Sequence, residues 1–173
     1  MRFRTALVGA AVAMLVVVAS PAADAAKPGP PSAGTTCTWG GTAAAPTGTF
    51  TITPGLTTTT PLAAPAQFDV TGDLGGDPAC QGTLTYKGQI DAGGTCSFTT
   101  FEGKATGIPT VTSFAGVGVG PLGPARLYDR DGHVIASENA NVITTDNSAA
   151  DCATPEGFRG GTFSSTIVFL DEQ

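Results

Sequence analysis

"AQFDVTGDL", residues 66–74, and "GTLTYKGQID", residues 82–91, carry the plainest pattern in the chain. In the first, Phe68, Val70 and Leu74 alternate with Gln67, Asp69 and Asp73; in the second, Leu84, Tyr86 and Ile90 alternate with Thr83, Thr85, Lys87 and Gln89. A period of two places each apolar set on one face, as in a strand packed on one side and wet on the other. The Gly, Pro and Asp residues between the two segments suit a connection between antiparallel neighbours.

Working outward, the same alternation recurs. "GTFTIT" (48–53) sets Phe50 and Ile52 on one face, and "GGTFSSTIVFL" (160–170) keeps Phe163, Ile167 and Phe169 in phase. "TCSFTTFEGKATG" (95–107) has Phe98 and Phe101 on opposite parities, which a bulge near Thr99 and Thr100 would reconcile. "TVTSFAGVGVG" (110–120) alternates Val117 and Val119 with glycines, so one of its faces is nearly bare backbone. Two further strands flank "LYDRDGHVI" (127–135). No segment beyond the N-terminal apolar run shows a helical stripe. The expected fold is all-β: an antiparallel up-and-down barrel of about eight strands, with a β-sandwich as the alternative. Counting strand directions makes the first and the last antiparallel, so closure is allowed.

Residues 1–25 read as a signal peptide: Arg2 and Arg4, an apolar run from Ala6 to Ala19, then Ala23-Asp24-Ala25 as a small-x-small cleavage pattern. The run is short for a membrane span, which takes roughly 20 residues. Residues 26–36, "AKPGPPSAGTT", lack bulky apolar side chains and are expected to form a flexible leader. Residues 37–173 make a single β domain, and the expected location is secreted, extracellular. After the signal, Lys27, Lys87, Lys104, Arg126, Arg130 and Arg159 face thirteen acidic residues. That balance argues against nucleic acid, and against a membrane partner once the signal is cleaved.

Cys37, Cys80, Cys96 and Cys152 form no C-x-x-C pair and have no histidine cluster beside them. In an exported chain an even count reads as two disulfides rather than a metal site. Three connectivities are open. The direction count puts Cys37 and Cys80 at one end of the barrel and Cys96 and Cys152 at the other, which favours those two pairs.

His133 is the only histidine, set in "LYDRDGHVI". Asp129-Arg130-Asp131-Gly132 fits a type I turn followed by Gly in the left-handed region, which brings Asp129 and His133 face to face at a hairpin tip. Asp131 and Gly132 close the turn. An EF-hand spacing fails here and no G-x-S-x-G elbow exists in the chain. Glu102 and Glu138, both within strands, are the remaining pair that could serve as glycosidase acids; a solvated strand face explains them as well. The single Trp39, two residues from Cys37, is expected to pack over a disulfide. No catalytic, cofactor or metal residue is assigned.

With its Ala, Gly and Thr-rich composition, its four cysteines, "TPGL" (53–56) and a final "GGTFSSTIVF", the chain resembles the small secreted β-proteins of unknown function found in actinobacteria. The resemblance implies export and a β fold and carries no site residues. More loosely, the chain resembles the neocarzinostatin-type apoproteins that hold enediyne chromophores. That likeness implies an apolar ligand in a cleft, although those proteins close short disulfide loops and no two cysteines here are closer than Cys80 and Cys96. Three functions follow in order of expectation: a non-enzymatic extracellular or envelope-associated interaction domain, a carrier of a small apolar ligand, and a hydrolase. The partner is unknown, with a cell-envelope component or a small apolar ligand in view, and no cofactor is expected. A cavity lined by the glycines of residues 110–120 and the Phe residues would mark the carrier; a barrel filled by its own side chains would count against it.

Overall fold

A computed structural model describes residues 29–118, 123–144 and 151–171. The expected signal peptide, residues 1–25, lies outside the described residues. The named elements are β1 (Thr36–Trp39), β2 (Gly41–Thr42), β3 (Ala45–Pro46), β4 (Gly48–Leu56), β5 (Ala66–Gly76), β6 (Thr83–Ile90), β7 (Thr99–Thr106), β8 (Ser113–Gly118), β9 (Ala125–Tyr128), β10 (Val134–Thr144) and β11 (Phe158–Phe169). From β4 to β11 each strand pairs with its sequence neighbour, and β11 pairs back onto β4, so the sheet closes as an eight-stranded antiparallel barrel. The sandwich alternative is set aside. Closure also removes free sheet edges, the usual route to strand-mediated aggregation.

One barrel stave is built from two pieces. β1 is antiparallel to β11 (Trp39 opposite Ser165) and to β5 (Trp39 opposite Leu74), and β4 takes over the same two neighbours, with Phe163 opposite Gly48 and Thr71 opposite Thr49. Between them residues 41–47 leave the wall as the small β2–β3 hairpin. The stave rejoins where the amide N–H groups of Thr47 and Gly48 both donate to the Gly40 carbonyl, at 2.7 and 3.0 Å. Gly40 has φ +72°, and a Cβ there would lie 2.7 Å from the Phe163 carbonyl oxygen, so glycine is required on both counts.

The chain is bonded to the barrel before β1 begins: Gly34 N–H donates to the Phe169 carbonyl and Phe169 N–H to the Thr35 carbonyl, each at 2.9 Å. Cys37–Cys80 ties β1 to the β5–β6 connection at this end, and Cys96–Cys152 ties the β6–β7 connection to the segment entering β11 at the other. The closed loops span 43 and 56 positions, worth about 4 kcal/mol each in the chain-entropy model.

β7 pairs with β6 in unbroken register from Thr106 to Phe101, without the bulge expected near Thr99 and Thr100. Phe98 instead belongs to the turn before the strand and is 52 % exposed. Trp39 belongs to the same buried cluster as Cys37 and Cys80. It sits in the barrel core against Tyr86 and Phe163, ring centroids 4.4 and 4.6 Å away, and its indole N–H reaches the Gly72 and Leu84 carbonyls at 3.0 and 3.1 Å.

The rings form a continuous chain through the interior: Phe163, Trp39, Tyr86, Phe114, Phe68 and Phe101 touch in that order. The wall makes room for them with glycine. A Cβ on Gly88 or Gly103 would lie 2.9 or 2.7 Å from the Phe114 ring, and one on Gly116 would lie 2.4 Å from Phe101. Gly116 of β8, like Gly88 of β6 and Gly103 of β7, therefore seats a ring rather than lining an open lumen. On the outside the abundant threonines fall into a cross-strand row, Thr162, Thr49, Thr71, Thr85 and Thr106, with Thr71 and Thr85 hydroxyls 3.1 Å apart. β-branched residues suit such a half-wet pleated face.

Candidate functional site

The hairpin tip between β9 and β10 is a closed hydrogen-bond system. Asp129 Oδ1 accepts from the amides of Asp131 and His133, both at 2.9 Å, and Oδ2 lies 3.3 Å from His133 Nδ1. Asp129 N–H donates to the His133 carbonyl at 3.1 Å, and Gly132 takes φ +88°. The amide donated by His133 is the first reason that the Asp129 carboxyl is held below the ordinary Asp range, with the Asp131 amide and the His133 ring adding to it. These contacts are local, solvated and mutually satisfying, and they account for Asp129, Asp131, Gly132 and His133 without a substrate.

Glu102 and Glu138 both border one open groove of the wall, but their side chains do not face each other across it. Glu102, on β7, points outward and is exposed; Glu138, on β10, points into the barrel and is 6 % exposed. They lie on opposite faces of the wall and on strands separated by β8 and β9. The solvated-face explanation therefore holds for Glu102 and fails for Glu138.

What placed Glu138 inside is a register change. Val134 pairs with Tyr128 but Ala136 pairs with Leu127, so one residue is extra on β10 and the inward parity passes to Ala136, Glu138 and Ala140. Ile135, the apolar residue that alternation would follow, is used up at the barrel end, where its carbonyl accepts from Leu170 N–H at 2.8 Å. Across the wall Ser165 is in phase with Phe163 and Ile167, and its hydroxyl is hydrogen-bonded to the Glu138 carboxyl.

Glu138 borders a small cavity with Trp39, Phe68, Tyr86, Phe101 and Phe163, in which the space open to the centre of a water-sized sphere is about 30 Å³. Loss of hydration pushes the Glu138 carboxyl up to about 7, against the smaller opposing effect of the Ser165 hydrogen bond. Tyr86 is raised well above the usual phenol value, first by burial and then by the Glu138 charge, and its hydroxyl is buried without a hydrogen-bond partner. The Ser165 hydroxyl is also 3.0 Å from the Asn139 carbonyl. Its single proton serves one of these two acceptors. A protonated Glu138 resolves the competition by donating to Ser165, which donates onward to Asn139.

Among the described residues no three His, Cys, Asp or Glu side chains gather as a metal site. The ion pairs there are Lys87–Asp69 and His133–Asp129, neither of which involves Glu138. Two disulfides fit an oxidising compartment. Comparison of the chain with protein-family models, with curated proteins and with solved structures gives no match.

Proposed function

We propose that this is a secreted, non-enzymatic interaction domain that works through its outer wall, with a polar component of the cell envelope as its partner. The observation that carries the reading is the filled interior: a continuous chain of rings occupies the barrel, and the cavity they border among the described residues holds about 30 Å³, far below the roughly 300 Å³ or more of a typical small-molecule pocket. A lumenal carrier of an apolar ligand, as the likeness to chromophore-binding apoproteins would imply, has no room there. A glycosidase reading lacks its acid pair, since Glu102 and Glu138 face opposite ways.

The outer wall across β5 to β9 supports the choice of surface. Lys87 and Lys104 stand directly opposite each other, with Gln89 opposite Glu102 and Tyr128 opposite Ser113 in neighbouring positions. With Arg126 on β9, this wall gathers three of the six basic residues of an otherwise acidic mature chain. Lys87 is paired with Asp69 at 3.3 Å and Glu102 stands in the same face, and such a mixture of both charges, amides and one aromatic platform suits a polyhydroxylated polymer.

The test is co-sedimentation of the purified protein with isolated envelope from its own source, alongside native mass spectrometry of protein taken from culture fluid. The expected result is envelope binding that falls with salt and is lost in a Lys87→Glu, Lys104→Glu double variant. A mass corresponding to the chain plus a stoichiometric apolar small molecule, or envelope binding indifferent to the double variant, overturns the reading.

A further inference from the structure

We propose that the cavity at Glu138 is a binding site for a small cation of the ammonium class, ammonium itself or a short primary alkylammonium. This goes beyond the outer-wall reading and does not depend on it.

The first argument is an unmatched carboxyl. Glu138 enters an apolar space, and among the described residues no Lys, Arg or His lies within ion-pair distance of it. Segments 119–122 and 145–150 contribute no basic residue in the sequence. A buried carboxylate without a counter-charge is costly, and a bound cation removes that cost.

The second argument is the count of acceptors. Tyr86 Oη is buried without a partner, and once Glu138 is ionised the Ser165 proton cannot satisfy it and the Asn139 carbonyl together. An ammonium group brings several N–H donors to a place that offers more acceptors than donors.

The third argument is the wall. Trp39, Tyr86, Phe68, Phe101 and Phe163 surround the space, and aromatic π systems attract cations most strongly where water is excluded. Hard metal ions are poorly served, because they call for six or so oxygen ligands and the only oxygen-bearing side chains in the cavity lining are Glu138 and Tyr86. Size agrees as well: a water needs roughly 10 to 15 Å³ by this measure. The cavity's 30 Å³ thus takes ammonium or methylammonium and excludes a tetra-alkylated ion.

The experiment is a titration at pH 8, where Glu138 is mostly ionised. Thermal stability and Trp39 fluorescence are followed in ammonium and methylammonium chloride, against sodium and tetramethylammonium chloride at equal ionic strength. The expected result is saturable stabilisation and a fluorescence change with the first two salts alone. Affinity should fall roughly tenfold or more in Glu138→Gln and a few-fold in Tyr86→Phe, with near-ultraviolet dichroism verifying that both variants fold. Binding in the wild type should weaken toward pH 5, as the proton competes for the carboxylate; Tyr86, which borders the same space, and Ser165, which is hydrogen-bonded to Glu138, do not titrate in that interval. Equal effects from all four salts, or a response undiminished in Glu138→Gln, overturns the proposal. So does an NMR experiment with ¹⁵N-ammonium that finds only water against the cavity rings.

Discussion

Asp129 and Glu138 are carboxyl groups a few residues apart on one hairpin, and the fold treats them in opposite ways. Asp129 sits at the tip, collects two backbone amides and the His133 ring, and is held more acidic than usual. Glu138 sits midway up the wall, meets Ser165 and aromatic rings, and is pushed up to about 7. Hydrogen bonds to the charged form lower a carboxyl pKa and loss of hydration raises it; each term dominates in one of the two places.

The two groups consequently tilt stability in opposite directions with pH. Glu138 has a folded pKa above its unfolded value of about 4.3, so the folded state holds its proton longer. Its effect is neutral below the unfolded pKa; destabilisation accumulates as pH rises and levels off above about 7. Asp129 has a depressed folded pKa, so its stabilisation is present above the unfolded value of about 3.9 and is lost as pH falls through the folded one. Maximal stability should lie near pH 4 to 5, between the two limbs.

The largest expected effect is at the buried member. Glu138→Gln keeps the shape and removes the titration, so its stability should be flat from pH 5 to 8 while the wild type loses about 3 kcal/mol over that range. Urea unfolding at several pH values measures this, and parallel curves for the two proteins would show that Glu138 is solvated. Next comes Tyr86→Phe, which deletes an unpartnered buried hydroxyl and, in buffers free of ammonium, should stabilise by about 1 kcal/mol. A loss of stability instead would mean that the hydroxyl has found a partner.

Smaller effects belong to the tip. Asp129→Ala frees two backbone amides to water and should lower the melting temperature modestly at pH 6, with the difference from wild type shrinking in strong acid. His133→Gln should change stability least, since its ring is half exposed and its pair is solvated. A His133→Gln variant that unfolds markedly earlier would erase the contrast between tip and wall.

How much of this was legible depends on whether the signal was local. The hairpin tip could be read because a type I turn with glycine after it is written in consecutive residues, Asp129 to Gly132. Strand alternation was legible for the same reason, and direction counting then allowed closure, which the structure shows, and favoured the pairs Cys37–Cys80 and Cys96–Cys152. Phe98 was misplaced because the short turn from Thr95 to Phe98 ends just before β7, and alternation alone does not mark where the strand begins.

The sequence by itself determined the class of fold, the number of staves and the chemistry of the tip, since each follows from periods and turns spanning a few residues. Only the tertiary structure decided which way Glu138 faces. A single extra residue at Ile135 reverses the parity of β10, and in a strand with period two that moves a carboxyl from water into a ring of aromatics. It also decided what Gly116 of β8 is for. Alternating glycine reads equally as an open face or as a seat, and the seat is chosen by Phe101, which arrives from the neighbouring strand.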